Sequence, residues 1–246
     1  MPMNRVYNRR WLRFAKGGKM KYIGHLDLLR VFQSAIRRAA LPIAYSMGFN
    51  PHQLISFALP LPVGMDSVCE YIELMFEEKD NPALDLGLGL DLGLGLGNGL
   101  LARLDAELPD GLRLLASYEI PERAPRPAAA VSAADYRLVF PGVEDSRDYL
   151  QDILAAPEII VTKKSKSGEK EADIRQDILA LDYDPVGAVT MRLSAGSVRN
   201  LKPILVAERI FALLVKPFSI HELSITRQEL YGTGTEGQLA PLHDIV

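Results

Sequence analysis

Residues 19–64, KMKYIGHLDLLRVFQSAIRRAALPIAYSMGFNPHQLISFALPLPVG, constrain the fold more than any other stretch. From Leu26 to Ala39 the apolar residues Leu28, Leu29, Phe32, Ala35, Ile36 and Ala39 recur at helical spacing, which predicts an amphipathic helix. Asp27, Arg30, Ser34 and Arg37 follow at three- and four-residue steps on the opposite face. Asp27 falls in the first turn and Arg37 and Arg38 in the last, as the helix dipole favours. Beyond Pro42 the chain reads as extended, interrupted by Ser46-Met47-Gly48-Phe49-Asn50-Pro51-His52. There Asn-Pro starts a turn and Gly48 supplies a backbone angle that other residues resist. Leu59-Pro60-Leu61-Pro62 has two residues without an N–H donor, which excludes a central strand. A charged helix next to a shaped loop therefore has to be built into a mixed fold.

The flanking pattern supplies the strands. Trp11–Phe14 reads as a first strand ending at Gly17-Gly18. Glu70–Phe76 alternates, with Tyr71, Glu73 and Met75 on one face and Ile72, Leu74 and Phe76 on the other. Residues 84–100 contain DLGLGL twice in succession, a low-complexity loop too short in period for a solenoid. A helix resumes near Leu100 and Leu112–Ile120 is a strand. The order strand, helix, strand, strand, helix, strand is that of the ferredoxin-like split βαβ. PERAPRPAAA, residues 121–130, reads as a Pro/Ala linker. In the second half, Asp135–Phe140 is a strand, Ser146–Leu154 a helix and Glu158–Lys164 a strand. A short helix over Asp173–Leu181, a strand over Val189–Leu193, a helix capped by Asn200 and a last strand over Leu223–Leu230 follow. The expected architecture is α+β, with two tandem ferredoxin-like (βαββαβ) units. The first spans 1–120, with the basic helix, and the second 131–246.

Charge is unevenly distributed. Up to Arg38 there are ten bases and one acid, a surplus of nine, while the remainder has 18 bases and 30 acids. A basic pole on an acidic body attracts anionic partners although the whole chain carries −3. No run approaches the roughly 18 apolar residues of a membrane helix. The opening MPMNRVYNRRWLRF lacks the apolar core of a signal peptide. A cytoplasmic protein without membrane contact is expected. The single cysteine, Cys69, permits no internal disulfide and reads as an apolar filler.

No catalytic constellation stands out. His25 and His52 are the candidates for acid–base work, because histidine alone titrates near neutrality unperturbed. His25 and Asp27 are two apart and do not face each other on a helix. The four histidines lack a metal-ligand spacing, so no metal or cofactor is expected. For binding, Tyr22, Tyr45 and Phe49 interleave with Lys19, Lys21, Arg30 and Arg37, the mixture of stacking rings and phosphate-meeting cations used on single-stranded RNA. Lys163, Lys164, Lys166 and Lys170 form a second basic tract at a Ser/Gly-containing tip, read equally well as a solvated hairpin.

The run KMKYIGHLDLLRVFQSAIRRAALPIAYSMGFNPHQLISFALPLPVGMDSVCEYIEL resembles the radical-SAM-linked protein family, a domain of unknown function (DUF2344-like). The likeness recurs at KKSKSGEKEADIR, residues 163–175, and weakly at Ile225-Thr226-Arg227. It implies a separately encoded radical SAM protein as partner. Radical SAM chemistry needs three cysteines around its cluster, so this chain is not itself that enzyme. Tandem ferredoxin-like units with a basic face also resemble RNA-processing proteins of CRISPR systems, in architecture alone. The leading expectation is a non-catalytic accessory subunit that binds RNA through Lys19, Lys21, Arg30, Arg37, Tyr45, Phe49 and the 163–170 tract. The alternatives are a metal-independent RNA-processing enzyme using His25 or His52, and a protein-docking module that never contacts nucleic acid.

Overall fold

The computed structural model describes residues 7–77, 99–165 and 168–246. The chain is a mixed α+β protein of antiparallel strands and few helices, in two compact units: Met1–Ala130 with Leu242–Val246, and Val131–Pro241. The division between them falls after Ala130, at the end of the Pro/Ala segment. Leu242–Val246, placed in the second unit by sequence, groups with the first.

The first unit runs β1 (Tyr7–Lys16), α1 (His25–Arg38), β2 (Ile55–Phe57), β3 (Asp66–Glu77), α2 (Leu100–Ala106), β4 (Leu112–Ile120) and the short α3 (Pro127–Ala130). β1 is flanked by β3 and β4, and β2 joins β3, every pair antiparallel. The stripe on α1 buries Leu28, Phe32, Ala35 and Ile36 against Leu12 and Phe14 of β1, Ile72, Leu74 and Phe76 of β3, and Leu104 of α2. Each such Leu or Phe removed from water is worth roughly 1.5–3 kcal/mol. The DLGLGL repeats lie outside the described residues.

The other face of this sheet is buried too, around a charge. Glu73, 1% exposed, lies opposite Trp11 in register. Its carboxylate accepts from Arg9 Nε (2.8 Å), Arg126 Nη1 (2.7 Å), Trp11 Nε1 (3.3 Å) and Ser56 Oγ (3.3 Å). That matches the roughly four lone-pair sites a carboxylate offers. Arg9 directs its remaining donors to the carbonyls of Pro121, Glu122, Ala124 and Pro125. The segment that composition marks as a linker is thereby fastened to β1. Cys69 is fully buried on β3, as expected.

The second unit runs β5 (Val131–Val139), α4 (Arg147–Ala155), β6 (Ile160–Ser165), β7 (Gly168–Asp173), β8 (Ile178–Tyr183), β9 (Val189–Ser194), α5 (Pro203–Leu213), β10 (Ser224–Thr233) and β11 (Leu239–Pro241). Its antiparallel sheet has the order β10-β5-β9-β8, with β11 on β10, while β6 and β7 form a separate hairpin. The helix expected over Asp173–Leu181 is instead a 3-10 turn, Arg175–Asp177, followed by β8. The buried residues of β8, Ile178 and Leu181, are three apart because the ladder shifts register between Ile178 and Ala180. A bulged strand therefore mimics helical spacing. Asp173 helps to close the turn by accepting the Ile159 and Arg175 N–H groups, which holds its carboxyl below the usual range.

Asn200 does not cap α5, whose N-terminal cap is Lys202. Pro203 forces the preceding residue out of the helical region, and the Leu201 N–H is already donated to the Ser194 carbonyl (2.9 Å). On β5, β9 and β10, Asp135 accepts a forked pair from Arg192 (2.7 and 2.8 Å) and the Tyr231 hydroxyl (2.7 Å). Burial, then the bond to Asp135, pushes the Tyr231 phenol up to about 12.

Candidate functional site

The surface singled out by sequence is built from the start of α1 and the chain between Ala44 and Leu54. Leu54 N–H bonds the Ala44 carbonyl (2.8 Å), and Tyr45 bridges Gln53, so this stretch folds back on itself. The Gln53 amide reaches the Gln33 carbonyl of α1 at 3.5 Å, a long contact that lays the base of the loop beside the helix. At the tip, Ser46 N–H donates to the His52 carbonyl (2.8 Å) and His52 N–H to Ser46 Oγ (3.0 Å). The same hydroxyl lies 2.7 Å from His52 Nδ1. Three hydrogen bonds between two residues clamp a turn of five intervening residues. Gly48 takes φ +115°, the left-handed region that its sequence position called for.

What this clamp holds out is apolar. Phe49 is fully exposed and Met47 74% exposed, with Tyr45 less so. Tyr22 and Leu26, just before and within the first turn of α1, are also exposed. A phenylalanine left wholly in water forgoes its burial energy, so the tip contributes little to folding by its packing.

The cations nearby are mostly partnered. Arg30 pairs with Asp27 one turn back (2.8 Å), and both are well exposed. Such a surface pair is worth only about 0–1 kcal/mol and exchanges readily for another anion. Arg37 donates to Ser34 Oγ (3.1 Å). Lys21 lies 3.5 Å from Asp66 and 5.5 Å from the Tyr22 ring centre, and Lys19 is exposed beside them in the turn Gly18–Tyr22. His25 opens α1 and packs its ring against Phe57 (5.2 Å, 77°), a structural contact. His52 is exposed. These residues gather the aromatic and cationic candidates of the first unit around one helix and one turn.

The second basic tract belongs to the other unit. In the backbone register of the β6–β7 ladder Lys163 pairs with Lys170 and Lys164 with Glu169. Lys170 is exposed, and Lys166 lies outside the described residues.

Sequence reasoning missed three arrangements: the Glu73 cluster, the Asp135–Arg192–Tyr231 cluster, and an aromatic group of Tyr71, Tyr118 and His243. Their members are tens to well over a hundred positions apart, and no local spacing announces them. Among the described residues, no group of three or more His, Cys, Asp or Glu is disposed to hold a metal ion. Among them, too, no helix is long and apolar enough to cross a membrane.

Residues 9–203 match a family described as "Uncharacterized protein conserved in bacteria (DUF2344)". The chain belongs to the DUF2344 family. The match takes in β1, α1, the clamped turn and β3, and continues into the second unit as far as the first residue of α5. No curated protein matches this DUF2344 chain.

Proposed function

We propose that this DUF2344 protein is a non-catalytic accessory subunit that binds RNA and presents it to a separately encoded radical SAM protein. Each of its units is read as ferredoxin-like. The strand orders support that reading: fourth, first, third, second in both, with the β6–β7 hairpin as an insertion. The observation that carries the functional reading is the clamped turn. It spends three hydrogen bonds on holding Phe49 out in water, beside a helix whose exposed Arg30 and Arg37 have only exchangeable partners one turn away. An exposed ring stacks a base, and Lys19, Lys21, Arg30 and Arg37 meet phosphates. Partner choice comes from the family resemblance, not from the geometry.

The exposed apolar Met47 and Leu26 favour a second reading, in which the same surface docks a protein and no nucleic acid. One experiment separates the two. The chain is purified from cells, and any nucleic acid released by a high-salt wash is measured by its ultraviolet absorbance and sequenced. Binding of a labelled RNA is then followed against salt. Under the RNA reading, Arg30→Ala and Arg37→Ala each lower the salt slope by about one unit. A slope unchanged in the double variant removes RNA from this surface and leaves the docking reading.

A further inference from the structure

The sheet of the first unit has a second aromatic surface, on the side away from α1. Tyr71 of β3 and Tyr118 of β4 flank β1, where Trp11 lies opposite Tyr118 and Arg13 opposite Tyr71 in register. Leu242–Val246 covers this surface, with Leu242 fully buried. The His243 ring lies on Tyr118 at 4.6 Å and 24°, and is nearly parallel to Tyr71 at 6.3 Å and 22°. His243 Nδ1 and the Tyr71 hydroxyl share a hydrogen bond of 2.8 Å.

This geometry differs from the aromatic packing on the helix side of the same sheet. There Phe14, Phe32, Phe57 and His25 meet edge to face, at 62–77°. A hydrophobic core accepts either arrangement. Here a planar nitrogen heterocycle is stacked on its face and hydrogen-bonded at its edge, which is how single-strand binders hold a nucleobase. Aromatic rings presented together on one face of an antiparallel sheet are also a platform for it.

We propose that Tyr71 and Tyr118 form a base-stacking platform for single-stranded RNA, and that Leu242–Val246 is its built-in competitor, with His243 in the place of a base. The platform is distinct from the α1 surface, and shares with the reading given above only the premise that the ligand is RNA. RNA gains the site when the segment lifts. Arg13, on the same face as Tyr71, adds positive charge for the backbone of the incoming strand.

The test uses the full chain and a fluorescein-labelled single-stranded RNA of mixed sequence, read by anisotropy. His243→Ala should raise affinity about tenfold, the scale of one stacked base. Tyr71→Phe keeps the ring and removes only the hydroxyl that holds His243, so it should give a smaller gain with little risk to folding. Tyr118→Leu, added to either variant, should abolish the gain. If neither variant binds more tightly, or if the gain survives Tyr118→Leu, the platform is not a binding site and the contact is packing alone. Arg30→Ala, Arg37→Ala and Phe49→Ser leave the ratio between His243→Ala and the unmodified chain unchanged. RNA binding by His243→Ala with none by the unmodified chain would remove the α1 reading and keep this one.

Discussion

Arg9 on β1 and Arg30 on α1 belong to the same basic stretch of sequence, yet the fold treats them in opposite ways. Arg9 is 4% exposed and gives its donors to the buried Glu73 and to four backbone carbonyls. The Arg30 side chain is 74% exposed and touches one carboxylate a helical turn away. Desolvating a guanidinium is costly unless every donor is answered, and Arg9 meets that condition with a fixed fork that lysine cannot copy. Arg30 keeps its water and most of its donors. A net positive pole in the sequence is therefore two things at once: structural charge consumed inside the unit, and surface charge available to a partner.

The largest test of this contrast is at Glu73. Glu73→Ala leaves Arg9 buried without its carboxylate and should cost about 3–5 kcal/mol in denaturant unfolding. A loss under about 1 kcal/mol would mean the cluster is not the internal charge described here. Next is Arg9→Lys, which keeps the charge and forfeits the fork. An expected loss of about 2 kcal/mol, read from the same denaturation midpoints, follows from several hydrogen bonds to a charged group left unmade. The smallest effect belongs to α1. The double substitution of Arg30 and Arg37 by Ala should leave unfolding within about 0.5 kcal/mol of the parent. A large destabilisation there would collapse the distinction between the two arginines.

The first unit was largely legible from its sequence, because α1 and β3 each have a clean period. The boundaries Leu26–Ala39 and Glu70–Phe76 lie within His25–Arg38 and Asp66–Glu77 or one residue beyond. Gly48 and the 46–52 turn could be read because a left-handed angle leaves a local mark. β8 could not, since its bulge sets buried residues three apart. Nor could the fate of residues 121–130, whose composition gives no hint that a guanidinium more than a hundred positions earlier would hold them. The candidate site was legible as a list of residues. That Arg30 is paired with Asp27, that His25 is packed on Phe57 and that Phe49 stands clear of the protein are set by the folded chain and leave no mark in local spacing.

Arg9 also guards a bond that a digestive enzyme would choose. Arg123-Ala124 sits in a proline- and alanine-rich stretch with the right residue for trypsin, and a protease has to draw several residues of extended chain into its cleft. The carbonyls on either side of that bond, Glu122 and Ala124, and their neighbours Pro121 and Pro125, are all held by one guanidinium. Cutting there requires those carbonyls to leave Arg9 first, so the rate of cleavage after Arg123 counts how often this segment detaches from β1.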